Sequence, residues 1–153
     1  MSDGNGGAGP HLEALAQYVK DLSFENPNAP RSLGPQETPP NISIQVNVNA
    51  KPIAANDYEI ELVLEGKAGE GEGLLFSFEL NFAGVFRLEN IPEAHVHQVL
   101  MIECPRLLFP FARSVLANAV RDGGFPPFLL QPIDFAQLYQ ARMNEMGQKG
   151  MNS

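Results

Sequence analysis

The chain has 153 residues, of which 44% are hydrophobic, and a formal net charge of −8. This length favours one domain with a buried core, and the acidic surface argues against nucleic acid as a partner because phosphate backbones would be repelled. The single cysteine excludes an internal disulfide. No apolar run reaches the length of a membrane span, and the first residues have no signal-peptide pattern, so we expect a cytoplasmic protein that does not insert directly into membranes.

The two ends of the chain have little to bury. The first ten residues are rich in glycine, and the last seven are "GQKGMNS". Segments of this composition cannot bury enough apolar surface to offset the entropy of ordering them. We therefore predict a disordered tail over 1–12, a single domain over 13–145 and a flexible tail over 146–153.

Apolar and polar residues alternate in the segment from Leu15 to Glu25, which is typical of a strand with one buried face. One set of side chains is predicted to face inward and the other outward. The inward set is Tyr18, Leu22 and Phe24, and the outward set is Val19, Asp21, Ser23 and Glu25.

A proline-rich segment follows this strand, with five prolines from Pro27 to Pro40. Proline fixes its own backbone and cannot donate a hydrogen bond to a sheet. We therefore expect a semi-rigid crossover loop.

Three further segments, 42–50, 57–66 and 74–84, alternate with a period of two. A solvent-exposed face is common in antiparallel sheets and rare in parallel ones, so we predict an antiparallel sheet with a polar outer face. The buried set includes Ile42, Ile44, Val46, Val48, Tyr58, Ile60, Leu62, Leu64, Phe76, Phe78, Leu80 and Phe82. The outer face carries the acids Asp57, Glu59, Glu61, Glu65 and Glu79, which indicate either a solvated surface or a docking face for a basic partner.

Helical periodicity replaces the alternation after residue 90. A helix is predicted to begin at Pro92 and to be interrupted by Pro105. A second helical segment spans 106–121, where Pro110 should bend it. The last helix is predicted to start at Asp134, which forms a capping box with Gln137. Strands followed by helices indicate an α+β fold with helices packed on one face of the sheet.

Candidate catalytic residues are few. Cys104 could act as a nucleophile with His95 or His97 as base, but buried packing is the commoner fate of a cysteine. The two histidines and Glu93 could hold a metal ion if they lay on a strand, whereas on the predicted helix the rings point apart. Ten phenylalanines exceed what one small sheet needs, so some apolar surface is expected in a groove or in self-association. The sequence therefore favours a binding protein over an enzyme.

Three strings carry a family resemblance: "DLSFENPNAP" (Asp21 to Pro30), "CPRLLFPFAR" (Cys104 to Arg113) and "GGFPPFLLQPIDFAQLY" (Gly123 to Tyr139). In this order and spacing they resemble the signature regions of SecB, the bacterial protein-export chaperone family. The resemblance implies a four-stranded antiparallel sheet with two main helices, assembled as a homotetramer that is a dimer of dimers. It also implies that unfolded preproteins are held without ATP or any cofactor and are passed to the SecA ATPase.

The resemblance also assigns residues to two surfaces. The groove for unfolded protein would comprise Ile42, Ile44, Val46, Phe76, Phe78, Leu80 and Phe111, and the SecA-docking acids would be Asp21, Glu25 and Glu79. No catalytic or metal-binding residue is implied. The sequence departs from the family pattern at two places: the crossover loop near Thr38 has no tryptophan, and Ser77 stands where an apolar residue is common. A small hydrophobic-ligand carrier and, after it, a cysteine hydrolase using Cys104 are the alternative hypotheses.

Overall fold

The computed structural model describes residues 9–36 and 38–152. It contains one four-stranded antiparallel sheet in the order β1-β4-β3-β2. The four predicted strands are confirmed, although β1 begins earlier and β4 ends later than the alternation indicated. Their bounds are β1 His11–Glu25, β2 Ile42–Pro52, β3 Asp57–Ala68 and β4 Phe76–Glu89.

One face of the sheet forms the core. Val46 is opposite Leu64, and Leu64 is opposite Leu80, on three neighbouring strands. Paired residues and those two positions along each strand have their side chains on the same face of the sheet. Leu64 and Leu80 are fully buried. Helical residues such as Leu108 and Phe135 belong to the same buried cluster, which confirms that the helices pack on one face.

The inward direction predicted for Tyr18 and the outward direction predicted for Val19 are wrong. The register of β1 against β4 shifts between Val19 and Asp21, which leaves Lys20 as an extra residue. Such a bulge reverses the alternation on one side of it. Tyr18 therefore lies beside Ala83 on the outer face, whereas Asp21, Leu22 and the residues after them keep the predicted directions.

The predicted interruption at Pro105 is also wrong. Helix α1, Glu93–Gln98, continues through a π-helical turn, Val99–Glu103, into α2, Cys104–Asp122. Pro105 has no amide hydrogen to donate. In the preceding π turn the backbone hydrogen bonds span five residues and not four, so the missing donor falls where the α-helical hydrogen bonding is already interrupted. The result is one long helix and not two.

Helix α3, Phe135–Asn152, begins as predicted after Asp134. The Asp134 carboxylate accepts a hydrogen bond from the Gln137 amide at 3.0 Å, which is the N-capping contact. The first strand and the last helix both extend beyond the predicted limits of the domain. Residues 1–8 lie outside the described residues, so the tails stay a prediction. Among the described residues, no helix is both long and apolar enough to cross a membrane.

Candidate binding groove and outer acidic face

An aromatic cluster is centred on Phe76 at the start of β4. The ring centroid of Phe76 lies 5.0 Å from that of Phe125, 5.5 Å from that of Phe24 and 6.1 Å from that of Phe128. These rings come from β1, β4 and the segment between α2 and α3. Because Phe76 contacts the other three rings, the cluster forms a continuous apolar wall.

Two apolar cavities adjoin this wall. One of about 580 Å³ lies between the crossover loop and residues 124–128, and one of about 350 Å³ lies between β2 and residues 128–133. Ile42 and Phe128 line both cavities. We call the two together the groove. No charged side chain of the described residues lines either cavity.

Two asparagines tether the crossover loop that forms one side of the groove. Asn26 donates to the Gly123 carbonyl at 3.0 Å, and Asn28 donates to the Leu74 carbonyl at 2.8 Å. A Cβ atom at Gly123 would clash with the Phe24 ring, which would have to shift. The string "ENPNAP" therefore positions the loop by hydrogen bonds as well as by its prolines.

The structure brings only some of the predicted groove residues together. Ile42, Ile44, Val46 and Phe76 line the groove. Phe78 and Leu80 are instead buried in the core, with 4% and 0% of their surfaces exposed. Phe111 is 54% exposed on α2 and lines neither cavity, so its place in the groove stays a prediction.

Several residues that line the groove were not predicted from the sequence. The string "GGFPPFLL", which was quoted only as part of the family resemblance, supplies Phe125, Phe128, Leu129 and Leu130. The others with large apolar side chains are Leu33 of the crossover loop, Leu75 and Ile133.

Carboxylates on one half of the outer sheet face are neutralised. Asp57 accepts two hydrogen bonds from the Arg87 guanidinium, at 2.8 and 3.1 Å. Glu61 accepts from Lys20 at 2.8 Å and from the Asn81 amide at 3.1 Å. The bond from Arg87 lowers the pKa of Asp57, and the bond from Lys20 lowers the pKa of Glu61.

Glu59 is the most enclosed of these acids, with 8% of its surface exposed. It accepts hydrogen bonds from the Tyr18 hydroxyl at 2.5 Å and from Lys20 at 3.1 Å, and Lys51 lies 3.5 Å away. The Tyr18 bond lowers the pKa of Glu59, and burial raises the pKa of Tyr18 to about 12. We call the three neutralised acids Asp57, Glu59 and Glu61 the paired end.

The other half of the outer face has a different character. Glu65 and Glu79 are direct neighbours on β3 and β4, and Ser23 is opposite Glu79 on β1. Contact with Glu65 raises the pKa of Glu79, and the Asp21 charge adds to the effect. Among the described residues no basic side chain lies within 4.0 Å of these acids. We call Asp21, Glu25, Glu65 and Glu79 the open acidic end.

The predicted directions of Asp21, Glu25 and Glu79 agree with the sheet register. Their strand positions pair with outer-face residues, because Asp21 is opposite Asn81 and Glu25 is opposite Ser77. A cavity of about 750 Å³ on this face is lined by Glu25, Glu65 and Glu79, together with Lys67. The arrangement concentrates negative charge in a concave surface.

The candidate nucleophile is enclosed by the core. Cys104 has no exposed surface, and burial raises the pKa of its thiol to about 12. The reactive thiolate is therefore scarce at neutral pH. His97 lies on a helix, as predicted, where Nδ1 is 3.1 Å from the Tyr139 hydroxyl. Among the described residues no three metal-binding side chains are grouped to hold an ion.

Comparison with known proteins points to one family. A family model described as "Preprotein translocase subunit SecB" matches residues 5–146. The protein-export protein SecB of Methylocella silvestris is 60% identical over 151 residues, which cover 95% of this chain and 94% of that protein. The protein-export protein SecB of Rhodopseudomonas palustris (strain TIE-1) is 57% identical over 157 residues, which cover 100% of both chains.

A solved structure shares the fold. It is a SecB-like chaperone of Mycobacterium tuberculosis, in complex with a ChAD peptide from the HigA1 antitoxin. The TM-score is 0.61, the sequence identity is 12%, and the match covers 80% of this chain and 90% of that one. At this identity the likeness shows a shared fold.

Proposed function

This chain belongs to the SecB family, and on that premise we propose that it holds unfolded precursor proteins in the groove and passes them to the SecA ATPase without using nucleotide. The observation that carries the proposal is the groove, which is apolar, uncharged among the described residues and walled by aromatic rings. Such a surface suits side chains that a folded protein would bury.

The groove favours unfolded chains over one defined ligand. Apolar contact is non-directional and contributes about 25 cal/mol per Å², so many sequences can bind. β2 is an edge strand of the sheet, and edge strands have backbone groups that an extended segment can pair with. Several weak contacts along one long client add to high affinity.

The open acidic end supports docking to SecA. Among the described residues no base lies within 4.0 Å of its four acids, so their field extends into solvent and attracts a basic surface. The groove residues of β2 point to the opposite face of the sheet, and Ile44 borders both the groove and the cavity at the open acidic end. Client binding and SecA docking therefore use two neighbouring faces of one molecule.

We propose the homotetramer on the exposed apolar side chains of β1 and α2. Val19 and Leu22 are 45% and 42% exposed, and Leu107 and Phe111 are 46% and 54% exposed. β1 is also an edge strand. Unpaired edges and apolar patches of this kind are normally covered by a partner. Light scattering should give about four times 16.7 kDa, and a stable monomer would contradict this assembly.

The space between the sheet and the helices disfavours the alternative, a carrier of small hydrophobic ligands with an interior cavity. Leu64, Leu80, Leu108 and Phe135 fill that space and have no more than 1% of their surfaces exposed. The cysteine hydrolase is disfavoured by the buried thiol of Cys104.

The groove is tested by Phe128→Asp. This change places a carboxylate between the two cavities and should raise the Kd for a reduced, unfolded client about thirtyfold, since burying a large apolar side chain contributes about 2 kcal/mol. Ile53→Asp is the matched control, because Ile53 is 52% exposed outside the groove. Adding nucleotide should not change the affinity of either variant for the client. Equal binding by both variants, with unchanged circular dichroism, would show that clients bind elsewhere.

A further inference from the structure

A third apolar cavity lies at the end of β2 away from the groove. Its volume is about 470 Å³, which is within the range of small-molecule sites. β2 contributes the wall from Val48 to Pro52, the π turn contributes Leu100 and Met101, and α3 closes the other side. No residue of the groove lines this cavity.

One wall of this cavity carries a cation without a counter-ion. Arg142 is half-buried, and its guanidinium donates to the Val48 carbonyl at 2.8 Å. No carboxylate of the described residues lies within 4.0 Å of it. A guanidinium has five N–H donors, and a charge taken partly out of water is normally paired.

The rest of the lining has no negative charge. None of the thirteen residues around the cavity is acidic, although the chain has 18 Asp and Glu and only 10 Lys and Arg. Lys51 also lines the cavity but its ammonium is 3.5 Å from Glu59, and the Tyr139 hydroxyl and His97 add polar atoms. This cavity therefore combines an apolar wall with the Arg142 guanidinium and no carboxylate, which neither the groove nor the cavity at the open acidic end does.

The apolar wall suits a flexible chain. Its long side chains include three methionines, which adapt to irregular ligands because the thioether is unbranched and polarisable. They are Met101, Met143 and Met146, and they stand with Val48 and Leu100.

We propose that this cavity is a binding site for a long-chain carboxylate, with the carboxylate on the Arg142 guanidinium and the hydrocarbon along the methionines. The guanidinium matches the two oxygens of a carboxylate in a fork geometry. An uncharged amphiphile gains only the apolar part of the interaction. The site does not depend on the proposed chaperone function and would persist if that function were wrong.

Decanoate and decanol, which have the same chain length, test this site in the full-length protein by calorimetric titration. Wild-type protein should bind decanoate at least about tenfold more tightly than decanol, as expected for a charge-assisted pair. Arg142→Met should remove that preference and Arg142→Lys should keep most of it. The methyl NMR signals of Met101, Met143 and Met146 should shift when decanoate binds.

Two control variants locate the ligand. Arg106→Met removes an arginine that is paired with Glu103 on α2, and it should leave the decanoate affinity unchanged. Phe128→Asp should impair client binding and leave decanoate binding intact. If wild-type protein binds both amphiphiles equally, or if decanoate binding is lost with Phe128→Asp, the site is overturned. Methyl signals that do not shift in wild-type protein overturn it as well, and this last result stands even if Arg142→Met fails to fold.

Discussion

At one end of the outer sheet face three carboxylates are bound by a tyrosine and by bases from neighbouring strands, whereas at the other end four carboxylates have no base within 4.0 Å among the described residues. Both ends belong to the same strands and have the same alternation in sequence. The difference lies in the side chains of the neighbouring strands, since Arg87 of β4 pairs with Asp57 and β1 supplies a base at one end and acids at the other. At the paired end, Lys20 bonds both Glu59 and Glu61. At the open acidic end, β1 contributes two further acids.

The bulge at Lys20 and a small residue on β4 allow Tyr18 and Lys20 to reach Glu59 and Glu61. Tyr18 is opposite Ala83, and Ala83 in turn is opposite Glu61 on β3. Because Ala83 is small and has no exposed surface, side chains from β1 can cross β4 and reach β3. Strand register therefore decides which carboxylates on a sheet face meet bases, so one end stabilises the fold and the other keeps its negative charge.

Removing the central acid of the paired end should have the largest effect on stability. Glu59→Ala leaves the Tyr18 hydroxyl without its acceptor and removes one of two partners of Lys20. We expect the free energy of unfolding to fall by about 2 kcal/mol. Glu70→Ala, at an exposed turn, is the control and should change it by less than about 0.5 kcal/mol. Equal effects in urea denaturation would remove the distinction between the two ends.

Removing only the Tyr18 hydroxyl, which donates to Glu59, should lower the free energy of unfolding by less. Tyr18→Phe keeps the ring and deletes the hydroxyl bonded to Glu59, so the free energy of unfolding should fall by about 1 kcal/mol. Tyr58→Phe is the matched control, because the Tyr58 hydroxyl has no hydrogen bond among the described residues. A loss as large in Tyr58→Phe would mean that the ring environment matters and the hydroxyl bond does not.

Removing a carboxylate from the open acidic end should change the free energy of unfolding least, and should increase it. Glu79→Gln removes repulsion from Glu65 and Asp21 and should raise the free energy of unfolding slightly at neutral pH. The pKa of Glu79 is raised, so this advantage over wild type should fade as the pH falls through that raised value.

The paired end should respond to acid in the opposite direction. The pKa of Glu59 is lowered from 4.5, so its stabilising contribution is complete above pH 4.5 and is lost as the pH falls through the lowered value. The stability advantage of wild type over Glu59→Gln should therefore persist to pH 4.5 and vanish below it. Urea titrations of both variants from pH 7 to 3 check these signs, and parallel curves would contradict them.

The strands could be predicted from sequence because a buried face imposes a period of two over many residues. The direction of Tyr18 could not, since a bulge adds one residue without changing the local composition. Lys20 has no property that marks it as the unpaired residue; only the pairing of β1 with β4 reveals it. The continuous helix at Pro105 could not be predicted either, because the π turn before it, which accommodates the proline, has no signature in the sequence.

Only part of the candidate groove could be predicted, because pairing between distant segments decides which residues line it. Alternation placed Ile42, Ile44 and Val46 on the apolar face of a strand, and the family resemblance assigned them to the groove. Phenylalanines look alike in sequence, and packing between distant segments decides which are buried and which line the groove. Phe78 packs in the core while Phe128, 50 positions later in the numbering, lines the groove. Phe128 was assigned no place in the groove because its segment has no periodicity.

The most direct test of the distinction between the two ends is a titration of SecA with three proteins at low and high salt. The first is wild type, the second has Asp21, Glu25 and Glu79 changed to Lys, and the third has Glu89, Glu93 and Glu145, all exposed and outside the open acidic end, changed to Lys. Both variants change the net charge equally. We predict that only the open-end variant loses affinity, by about a hundredfold at low salt, and that salt weakens the wild-type complex. If the two variants bind SecA alike, the open acidic end is only a solvated surface and the account is contradicted.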